Sequence, residues 1–566
     1  MRQFFLLALL LASSLQASPS RYDVVVYGGT SGGVVAAVQT ARSGKSVVLI
    51  SPTKHLGGLT SSGLGWTDLG KSSILGGISR EFYQNIYRHY SEAAAWKQQT
   101  RESFGNKGQG ISAFDQASGT ASVFEPKVAE SVFDRWVAEN RIEVVRGLLD
   151  LKNGIAMNGK AIRSLRLEDG REFAGKMFID ASYEGDLLPG AHVTYTVGRE
   201  SNAAFGESVN GIQSVRSNQN QLPKNIDPFV RPGDPSSGLL PGVNPDPGGA
   251  DGSGDAKLQA YCYRMVLTNV PENRIPVGRP DGYRESDYEL VFRAIRAGQR
   301  GGFFKLSPVP NHKTDSNNTG GISTDLIGGN YGPGWDWTTL GHKEREALAK
   351  RHEQWQRGLI WTLQNHPSVP PEIRKTYASW GLPADEFADN SHWPWQLYVR
   401  EARRMVSDVV MSQKNCVGQD VVPDSIGLAA YSMDSHHVQR IVKDGMVRNE
   451  GDIQLRVPWP YPVSYRSIVP KSGECTNLLV PWSLSASHMA FGSIRMEPVF
   501  MILSQSAAIA AAMAMDAGIP VQQVPYPELR KKLLAAGLVL APPPRMVRHS
   551  ADKSAEETPP QATAKP

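Results

Sequence analysis

Cysteine is scarce in this sequence, and its scarcity excludes one class of redox cofactor. The chain has 566 residues and three cysteines, Cys262, Cys416 and Cys475. A cubane iron–sulfur cluster requires four thiolate ligands, so these residues cannot hold one. They can form one disulfide and leave one thiol over, or all three can be unpaired and buried, and their spacing leaves both alternatives open. We predict no metal site.

Clustered charge and long apolar runs are missing as well. The net charge is only +5 at pH 7, and no run of lysine and arginine indicates a nucleic-acid partner. Residues 4–12 are apolar but too few to span a bilayer, and no other stretch is long and apolar enough. We therefore expect no membrane span in the mature chain.

The N-terminus has the pattern of an export signal. Arg2 supplies a positive start, residues 4–12 supply the apolar region, and Ala17 is a small residue suited to cleavage. We predict that residues 1–17 are a signal peptide and that the mature protein is periplasmic or secreted. An uncleaved anchor is the alternative.

The first informative pattern is "RYDVVVYGGTSGGVVAAVQTARSGKSVVLIS", residues 21–51. Residues 22–27 and 46–50 are apolar and of strand length, and residues 32–43 have the spacing of a helix that Gly44 ends. A strand, a glycine turn, a helix and a second strand form a βαβ unit of a parallel sheet. This unit is typical of a dinucleotide-binding domain.

Two residues depart from the usual dinucleotide fingerprint. Thr30 stands where the middle glycine of G-x-G-x-x-G is expected, and Ser51 stands where an acid normally binds the ribose. The helix N-terminus still offers N–H groups to a phosphate, and the Thr30 hydroxyl could donate a hydrogen bond. A charged hydrogen bond is worth about 1.5–3 kcal/mol and a neutral one about 0.5–1.5. The site is thus weakened and not abolished; a purely structural turn is the alternative.

The next segment favours FAD over a nicotinamide cofactor. "HLGGLTSSGLGWTDLG" follows the second strand and contains five glycines from Gly57 to Gly70. An extended FAD molecule lies against the backbone, which a glycine-rich run permits. In the alternative interpretation, Lys54 binds the 2′-phosphate of NADP.

Further segments give the chain a family resemblance. They are "DVVVYGGTSGG", "HLGGLTSSGLGWTD", "ILGGISREFY", "FIDASYEGDLLPGA", "VGRESNAAFGES", "LYVREARRMVSD", "DSIGLAAYSMDSH", "YPVSYRSIVP" and "NLLVPWSLSASHMAFGSIRMEPVFMILSQSAAIAAA". With them the chain resembles bacterial FAD-dependent oxidoreductases that are similar to the flavin domain of heterodisulfide reductase. The resemblance runs from Asp23 to about Ala512. Thr30 suits that family, whereas Ser51 departs from it.

The resemblance implies an α/β fold with a discontinuous, Rossmann-like FAD-binding domain of the glutathione-reductase type and an α+β cap. We expect the flavin domain at residues 20–205 and 456–540, the cap at 206–455 and a disordered tail at 541–566. Residues 142–187 are predicted to be a β-meander and residues 210–255 a long loop. Helices are predicted at 285–300, 343–365, 396–411 and 497–517.

We predict cofactor-binding and catalytic residues from the same segments. The cofactor-binding set is Gly28, Gly29, Thr30, Ser31, Gly32, Gly33, Ser51, Gly57, Gly58, Leu59, Asp180, Ala181, Glu497 and Pro498. The helix beginning at Glu497 would direct its positive N-terminus at the reduced flavin, unless it is an ordinary packing helix. The catalytic set is His488, Arg495, His436 and Arg403, with Asp434, Tyr465 and Arg466 as further candidates. "KTDSNNTGG", residues 313–321, is a polar loop expected near FAD or substrate.

These patterns predict an exported FAD-dependent oxidoreductase. It would transfer a hydride between a small polar substrate, which we suggest is sugar-derived, and flavin N5. The electron acceptor is not identified by the sequence. Two alternatives are a polysaccharide lyase or hydrolase on a flavoprotein scaffold, and a carbohydrate-binding protein with a vestigial nucleotide site.

Overall fold

A computed structural model describes residues 19–245, 249–326 and 337–543. The predicted signal peptide, and the predicted tail beyond residue 543, lie outside the described residues.

The strands lie throughout the described chain. In order they are β1 (Ser20–Tyr27), β2 (Val47–Ser51), β3 (Phe114–Asp115), β4 (Thr120–Ala121), β5 (Glu143–Arg146), β6 (Ile155–Asn158), β7 (Ala161–Arg166), β8 (Glu172–Asp180), β9 (Tyr195–Thr196), β10 (Arg274–Ile275), β11 (Ser307–Val309), β12 (Lys313–Asp315), β13 (Leu382–Pro383), β14 (Arg404–Met405), β15 (Ser425–Ala429), β16 (Met433–Ser435), β17 (Gln439–Lys443), β18 (Met446–Glu450), β19 (Ile453–Leu455), β20 (Tyr461–Ser464) and β21 (Leu478–Leu479).

The α-helices are fewer and several are short. They are α1 (Ser31–Arg42), α2 (Gly77–Ser91), α3 (Arg101–Phe104), α4 (Pro126–Glu139), α5 (Leu187–Gly190), α6 (Asn202–Phe205), α7 (Glu289–Arg296), α8 (His342–Asn365), α9 (Pro371–Ala378), α10 (Gln413–Cys416), α11 (His488–Ile494), α12 (Glu497–Ala517) and α13 (Tyr526–Ala535). A 3₁₀ turn at Gly58–Ser61 follows β2.

The main sheet confirms the predicted βαβ unit. Its order is β5-β2-β1-β8-β7-β6, and β21 also pairs with β8. Strands β5, β2, β1, β8 and β21 are parallel, whereas β6 and β7 run antiparallel as the predicted meander. Because β21 comes from the far end of the chain, the sheet joins two segments that are distant in sequence. Its central strands are buried, as expected for a Rossmann-like α/β fold.

Helix α12 packs along α1 behind the sheet, which explains its small residues. It is the helix predicted for residues 497–517, with the bounds Glu497–Ala517. By length and its mean hydropathy of 1.6 it resembles a membrane span, contrary to the expectation that no such stretch exists. However, 83% of its apolar window is buried inside the protein, which is the pattern of a core helix.

The predictions for the middle of the chain are partly confirmed. Helices α7 and α8 occupy the segments predicted to be helical, and residues 210–255 form a loop apart from one short 3₁₀ turn, as far as they are described. The prediction of a helix at residues 396–411 is wrong. That segment is extended, and its Arg404–Met405 pairs with Tyr195–Thr196. The three cysteines are free and buried, which settles their state.

Candidate active site

The glycine turn after β1 is held by Thr30. Thr30 is the N-cap of α1: its hydroxyl oxygen accepts a hydrogen bond from the Gly33 N–H at 3.1 Å. The hydroxyl donates to the Ala181 carbonyl at 2.9 Å, so its proton is used within the protein. Gly28 has φ +114°, and a Cβ there would lie 2.5 Å from the Ala181 carbonyl. Thr30 therefore replaces the middle glycine by capping the helix and fastening it to the end of β8.

Ser51 ends β2 beneath the glycine turn. Its hydroxyl donates to the Thr53 carbonyl at 2.8 Å, and the side chain is fully buried. A Cβ on Gly29 would collide with the Ser51 hydroxyl. The small serine thus fits a close contact between Gly29 and β2.

The glycine-rich segment after β2 lies directly on the first turn. The Gly57 N–H donates to the Gly29 carbonyl at 2.8 Å, and Gly57 has φ +99°. A Cβ on Gly58 would collide with the Tyr183 hydroxyl. That hydroxyl accepts from the Leu59 N–H at 2.7 Å. The glycine turn after β1, the glycine-rich segment after β2 and the segment after β8 therefore contact one another at the start of α1.

Glu497 is at the centre of this meeting point. Its carboxylate accepts hydrogen bonds from Ser31 Oγ at 2.5 Å, Thr60 Oγ1 at 2.7 Å and Tyr183 OH at 3.1 Å. Burial raises the pKa of Glu497 to about 7, although the three hydroxyl groups act in the opposite direction. The acid at the start of α12 is thus joined directly to the start of α1.

Asp180 and Ala181, at the end of β8, stabilise the turn. Asp180 Oδ1 accepts from the Ser182 N–H at 3.0 Å and its hydroxyl at 2.6 Å, while Oδ2 accepts from the Leu187 N–H at 2.9 Å. Burial raises the pKa of Asp180 to about 7. Both carboxylate oxygens therefore bind the protein's own turn, and the Ala181 carbonyl binds Thr30.

A narrow cavity of about 10 Å³ opens beside Glu497. Its walls include Leu59, Tyr183, Tyr398, Arg400 and Arg495. Arg495 donates to the Tyr398 hydroxyl and to the Asp434 carbonyl at 2.9 Å. The buried Nε atoms of Arg400 and Arg495 have no hydrogen-bond partner in the described structure. Two guanidinium groups thus stand in the wall of this cavity.

A second cavity of about 240 Å³ adjoins the first and shares Asp68 and Tyr398 with it. Its walls are mostly polar, with the side chains of Trp66, Gln109, Gln219, Asn220, Arg264, Lys305, Ser307, Asn317, Asn318, Tyr431, Asp434, His436 and Gln454. Asn317 and Asn318 come from the polar loop singled out in the sequence. We call this space the polar cavity.

Most charges of the polar cavity are paired within the protein; the exposed Lys305 has no carboxylate partner among the described residues. Arg264 contacts Asp68 at 3.1 Å and Asp315 at 2.7 Å. Asp68 also accepts from the Tyr431 hydroxyl at 3.1 Å. The Arg495 guanidinium lies 3.5 Å from the Asp434 carboxylate. A cavity with balanced charge and many hydroxyl and amide groups suits a neutral polar molecule.

His436 is the titratable base at this cavity. Its Nδ1 lies 3.0 Å from Asp325 Oδ2 and its Nε2 lies 3.3 Å from Asp434 Oδ2. Burial opposes ionisation of both acids, yet Arg400 and His436 hold the pKa of Asp325 well below its usual range, and His436 lowers the pKa of Asp434 to about 2. Each ring nitrogen of His436 therefore faces a carboxylate, and the two carboxylates hold the ring at the cavity wall.

His488 lies behind the cavity wall. It is 1% exposed, with Nδ1 2.8 Å from Glu401 Oε2 and Nε2 3.0 Å from Ser435 Oγ. Burial disfavours the Glu401 carboxylate, but the charge and hydrogen bond of His488 lower its pKa to about 2. Ser435 follows the cavity residue Asp434, and Glu401 follows Arg400. His488 therefore connects two wall segments and does not line either cavity.

The arginines of "VREARRM" do not share a helix face, because the segment is extended. Arg400 pairs with Asp325 at 3.0 Å, Arg403 with Asp186 at 3.0 Å and Arg404 with Glu200 at 2.9 Å. Arg403 also donates to the Glu184 carbonyl. It lines neither cavity, so the structure gives this predicted catalytic residue a structural ion pair.

Other candidates from the sequence also have local roles. Lys54 pairs with Asp389, and Arg466 pairs with Asp424 at 3.0 Å. The Tyr465 hydroxyl donates to the Val521 carbonyl at 2.6 Å. In the described part of the chain one group of acids, Glu125, Asp385 and Glu386, has metal-like spacing, but Lys313 Nζ lies 2.7–2.8 Å from all three carboxylates.

The geometry around Glu497 fits a flavin dinucleotide. The N-terminus of α1 offers the N–H groups of Ser31 and Gly32, which have no acceptor one turn earlier in the helix. The charges of Arg400 and Arg495 in the wall of the narrow cavity suit the negative charge of reduced flavin.

Comparison with known families agrees with this geometry. A model of the family described as FAD dependent oxidoreductase matches residues 23–533. The chain belongs to this family. The Rossmann-like fold and the assignment to the FAD-dependent oxidoreductases are as predicted. The finer resemblance to the flavin domain of heterodisulfide reductase stays a prediction.

Solved structures give only distant similarities. A flavin-containing monooxygenase from Stenotrophomonas maltophilia is 15% identical over 33% of this chain and 44% of that chain, with a TM-score of 0.18. The anhydrotetracycline hydroxylase OxyS from Streptomyces rimosus is 14% identical over 32% and 36%, with a TM-score of 0.22. Thioredoxin reductase from Streptococcus pyogenes is 16% identical over 29% and 35%, with a TM-score of 0.17. The chain thus spans less than half of these structures, and no protein of curated function matches it.

The sequence predictions missed several residues of the site. Thr60, Asp68 and Tyr183 stand within quoted segments, where a hydroxyl or acid beside a glycine-rich run was an available signal. Tyr398 also stands within a quoted segment but without a neighbouring glycine, and Arg264 stands in none of them. Their roles depend on partners far away in sequence, such as Asp68 for Arg264 and Arg495 for Tyr398.

Proposed function

We propose that this FAD-dependent oxidoreductase is exported and oxidises a neutral, polyhydroxylated substrate, sugar-derived in our view, by hydride transfer. The observation that supports the proposal is the polar cavity. It adjoins the narrow cavity beside Glu497, and its charges, apart from that of Lys305, are held in internal ion pairs. Amide and hydroxyl groups around such a space match the hydrogen-bonding pattern of a sugar better than that of an apolar molecule. Export is inferred from residues 1–17 alone.

When bound, FAD supplies a two-electron acceptor for a hydride. The chain's own contribution is to orient the substrate and to manage its proton. Asp434 and His436 Nε2, 3.3 Å apart at the cavity wall, receive the proton of a substrate hydroxyl as a hydrogen-bonded pair, and Asp325 holds His436 at Nδ1. Asp68, Gln109 and Tyr431 are placed to bind further hydroxyl groups.

The first test is the visible spectrum of the purified protein before and after denaturation. Flavin bands that leave with the supernatant indicate non-covalent FAD. Anaerobic mixing of the flavin-loaded protein with polyols, sugars and sugar acids then reveals a substrate by bleaching of these bands. Activity on polysaccharide that survives complete flavin removal would contradict the proposal and support a lyase instead.

The proton role is tested by His436→Ala. We expect kcat to fall by about 10²–10⁴-fold, the usual contribution of general base catalysis, with flavin content unchanged. The slow reaction should recover as pH rises, because hydroxide replaces the missing base. His392→Ala is the control, since His392 contacts the Glu386 carbonyl and lines neither cavity. An unchanged rate in His436→Ala would remove His436 from the mechanism.

A further inference from the structure

A separate cavity of about 440 Å³ lies in the middle part of the chain. Its walls include Tyr288, Trp355 and Arg440. Asp325, whose Oδ2 atom contacts His436, lines it as well. The volume is in the range of small-molecule sites. We call this space the cap cavity.

Arg440 differs from the other buried arginines. Nine arginines of the described chain are less than 9% exposed: Arg199, Arg264, Arg293, Arg345, Arg400, Arg403, Arg404, Arg440 and Arg495. Eight of them have a carboxylate within 4.0 Å. Of these nine, Arg440 alone has no carboxylate partner among the described residues. A buried cation without a counter-ion is unfavourable unless something else compensates it.

The Arg440 guanidinium is nevertheless fixed in position. It lies on β17, where its Nε donates to Asn449 Oδ1 at 2.9 Å and its Nη2 donates to the Gly321 carbonyl at 3.1 Å. Asn449 is its cross-strand neighbour on β18. Burial lowers the pKa of Arg440 to about 10, so it is still charged at neutral pH. Its Nη1 donors have no partner in the described structure and are available to a ligand.

The wall also offers aromatic rings and neutral polar groups. Tyr288 stacks on Trp355 with centroids 4.9 Å apart and on Tyr283 at 5.0 Å. Trp355 Nε1 is buried and has no hydrogen-bond partner among the described residues. Asn244 and Gln354 add neutral polar groups. Rings together with planar polar side chains are suited to the two kinds of surface that a sugar presents.

We infer that the cap cavity is a binding site for a sugar acid, whose carboxylate pairs with Arg440 and whose ring packs among Trp355 and its neighbours. A carboxylate supplies the missing counter-charge and can accept from both Nη1 protons. This site is distinct from the proposed reaction site, because the walls of the cap cavity share no residue with the polar cavity. Its occupancy therefore does not depend on turnover.

Binding of D-glucuronate to the flavin-loaded protein, followed by titration calorimetry and thermal shift, tests this inference. D-Glucose has a similar ring without the carboxylate, and benzoate has a carboxylate without the sugar. We expect glucuronate to bind and to raise Tm, with glucose and benzoate at least tenfold weaker. Equal binding of glucose, or binding of benzoate alone, overturns the sugar-acid assignment. No binding of any probe overturns the site.

Two variants locate the binding. Arg440→Met should weaken glucuronate binding at least tenfold, and Trp355→Ala, which removes the aromatic ring from the wall, should weaken it severalfold. Arg284→Met is the matched control, because Arg284 also lines the cavity but pairs with Asp287. Unchanged affinity in both Arg440→Met and Trp355→Ala overturns the inference, even if one variant alone folds poorly.

Discussion

The polar cavity and the cap cavity both contain a buried arginine, and the two arginines have different partners. Arg264 in the polar cavity lies between two carboxylates, Asp68 and Asp315. Arg440 in the cap cavity has only neutral acceptors, Asn449 and the Gly321 carbonyl. A cation that is neutralised internally serves the fold, whereas an unpaired one has capacity left for an anion. The difference separates a cavity suited to neutral polyols from one suited to an acid.

The largest effect on stability is expected from removing Arg264, the arginine that is paired with carboxylates. Arg264→Met leaves Asp68 and Asp315 without their cation, and Asp315 is 1% exposed. We expect the free energy of unfolding to fall by about 3–5 kcal/mol, as for other broken buried ion pairs. Urea denaturation measures it, with the exposed Arg284→Met as control. A loss below about 1 kcal/mol would show that the pairing contributes little.

Glu497 sharpens the comparison, since it is a buried acid held by hydroxyl groups and without an ion pair in the described structure. Burial raises its pKa from the ordinary glutamate value of 4.5 to about 7. The folded protein therefore binds this proton more tightly than the unfolded chain, so its contribution to stability falls as pH rises from about 4.5 to 7.

Glu497→Gln removes this pH-dependent penalty. Relative to the parent protein, we expect equal or slightly lower stability at pH 5 and a gain on the order of 1–3 kcal/mol at pH 8. Unfolding by urea at both pH values, on flavin-free protein, gives the difference. The pKa of Asp180 is also raised to about 7. Because Asp180 is present in both proteins, its pH dependence does not contribute to the difference in stability between them. A difference that does not vary with pH would contradict the assignment.

The smallest effect on stability is expected from removing Arg440, the arginine without a carboxylate partner. Arg440→Met removes a buried charge that has no counter-ion in the described structure, and the Gly321 carbonyl keeps the hydrogen bond from Asn449 at 2.8 Å. The lost desolvation penalty and the lost hydrogen bonds should offset each other, so stability changes by about 1 kcal/mol or less. Thermal and urea unfolding measure this. A loss as large as that of Arg264→Met would mean that the two cavities do not differ in this way.

Local pattern predicted the nucleotide-binding core well. The βαβ unit and the Glu497–Ala517 helix appear at their predicted positions, because short-range apolar spacing and end signals decide such elements. The same reasoning failed for residues 396–411. Their arginines and glutamate are good helix formers, but each charge is buried against a different partner, which an extended chain allows and one helix face does not.

The candidate site could be predicted only in part. Glu497, Arg495 and His436 were named, and they lie at the two adjoining cavities. His488 was also named, but it supports the wall through Glu401 and Ser435. A sequence shows that a histidine is present, whereas its role depends on whether its ring faces a cavity or buried neighbours.

The sequence alone determined the βαβ unit and the helix that carries Glu497, since glycine turns and apolar periods act over a few residues, and the resemblance of its motifs indicated the family. The tertiary structure decided which charges meet. Arg264 reaches Asp68 across 196 positions, and Arg440 is left without any carboxylate among the described residues. Ion pairing depends on distance in space and on burial, and neither can be read from positions along the chain.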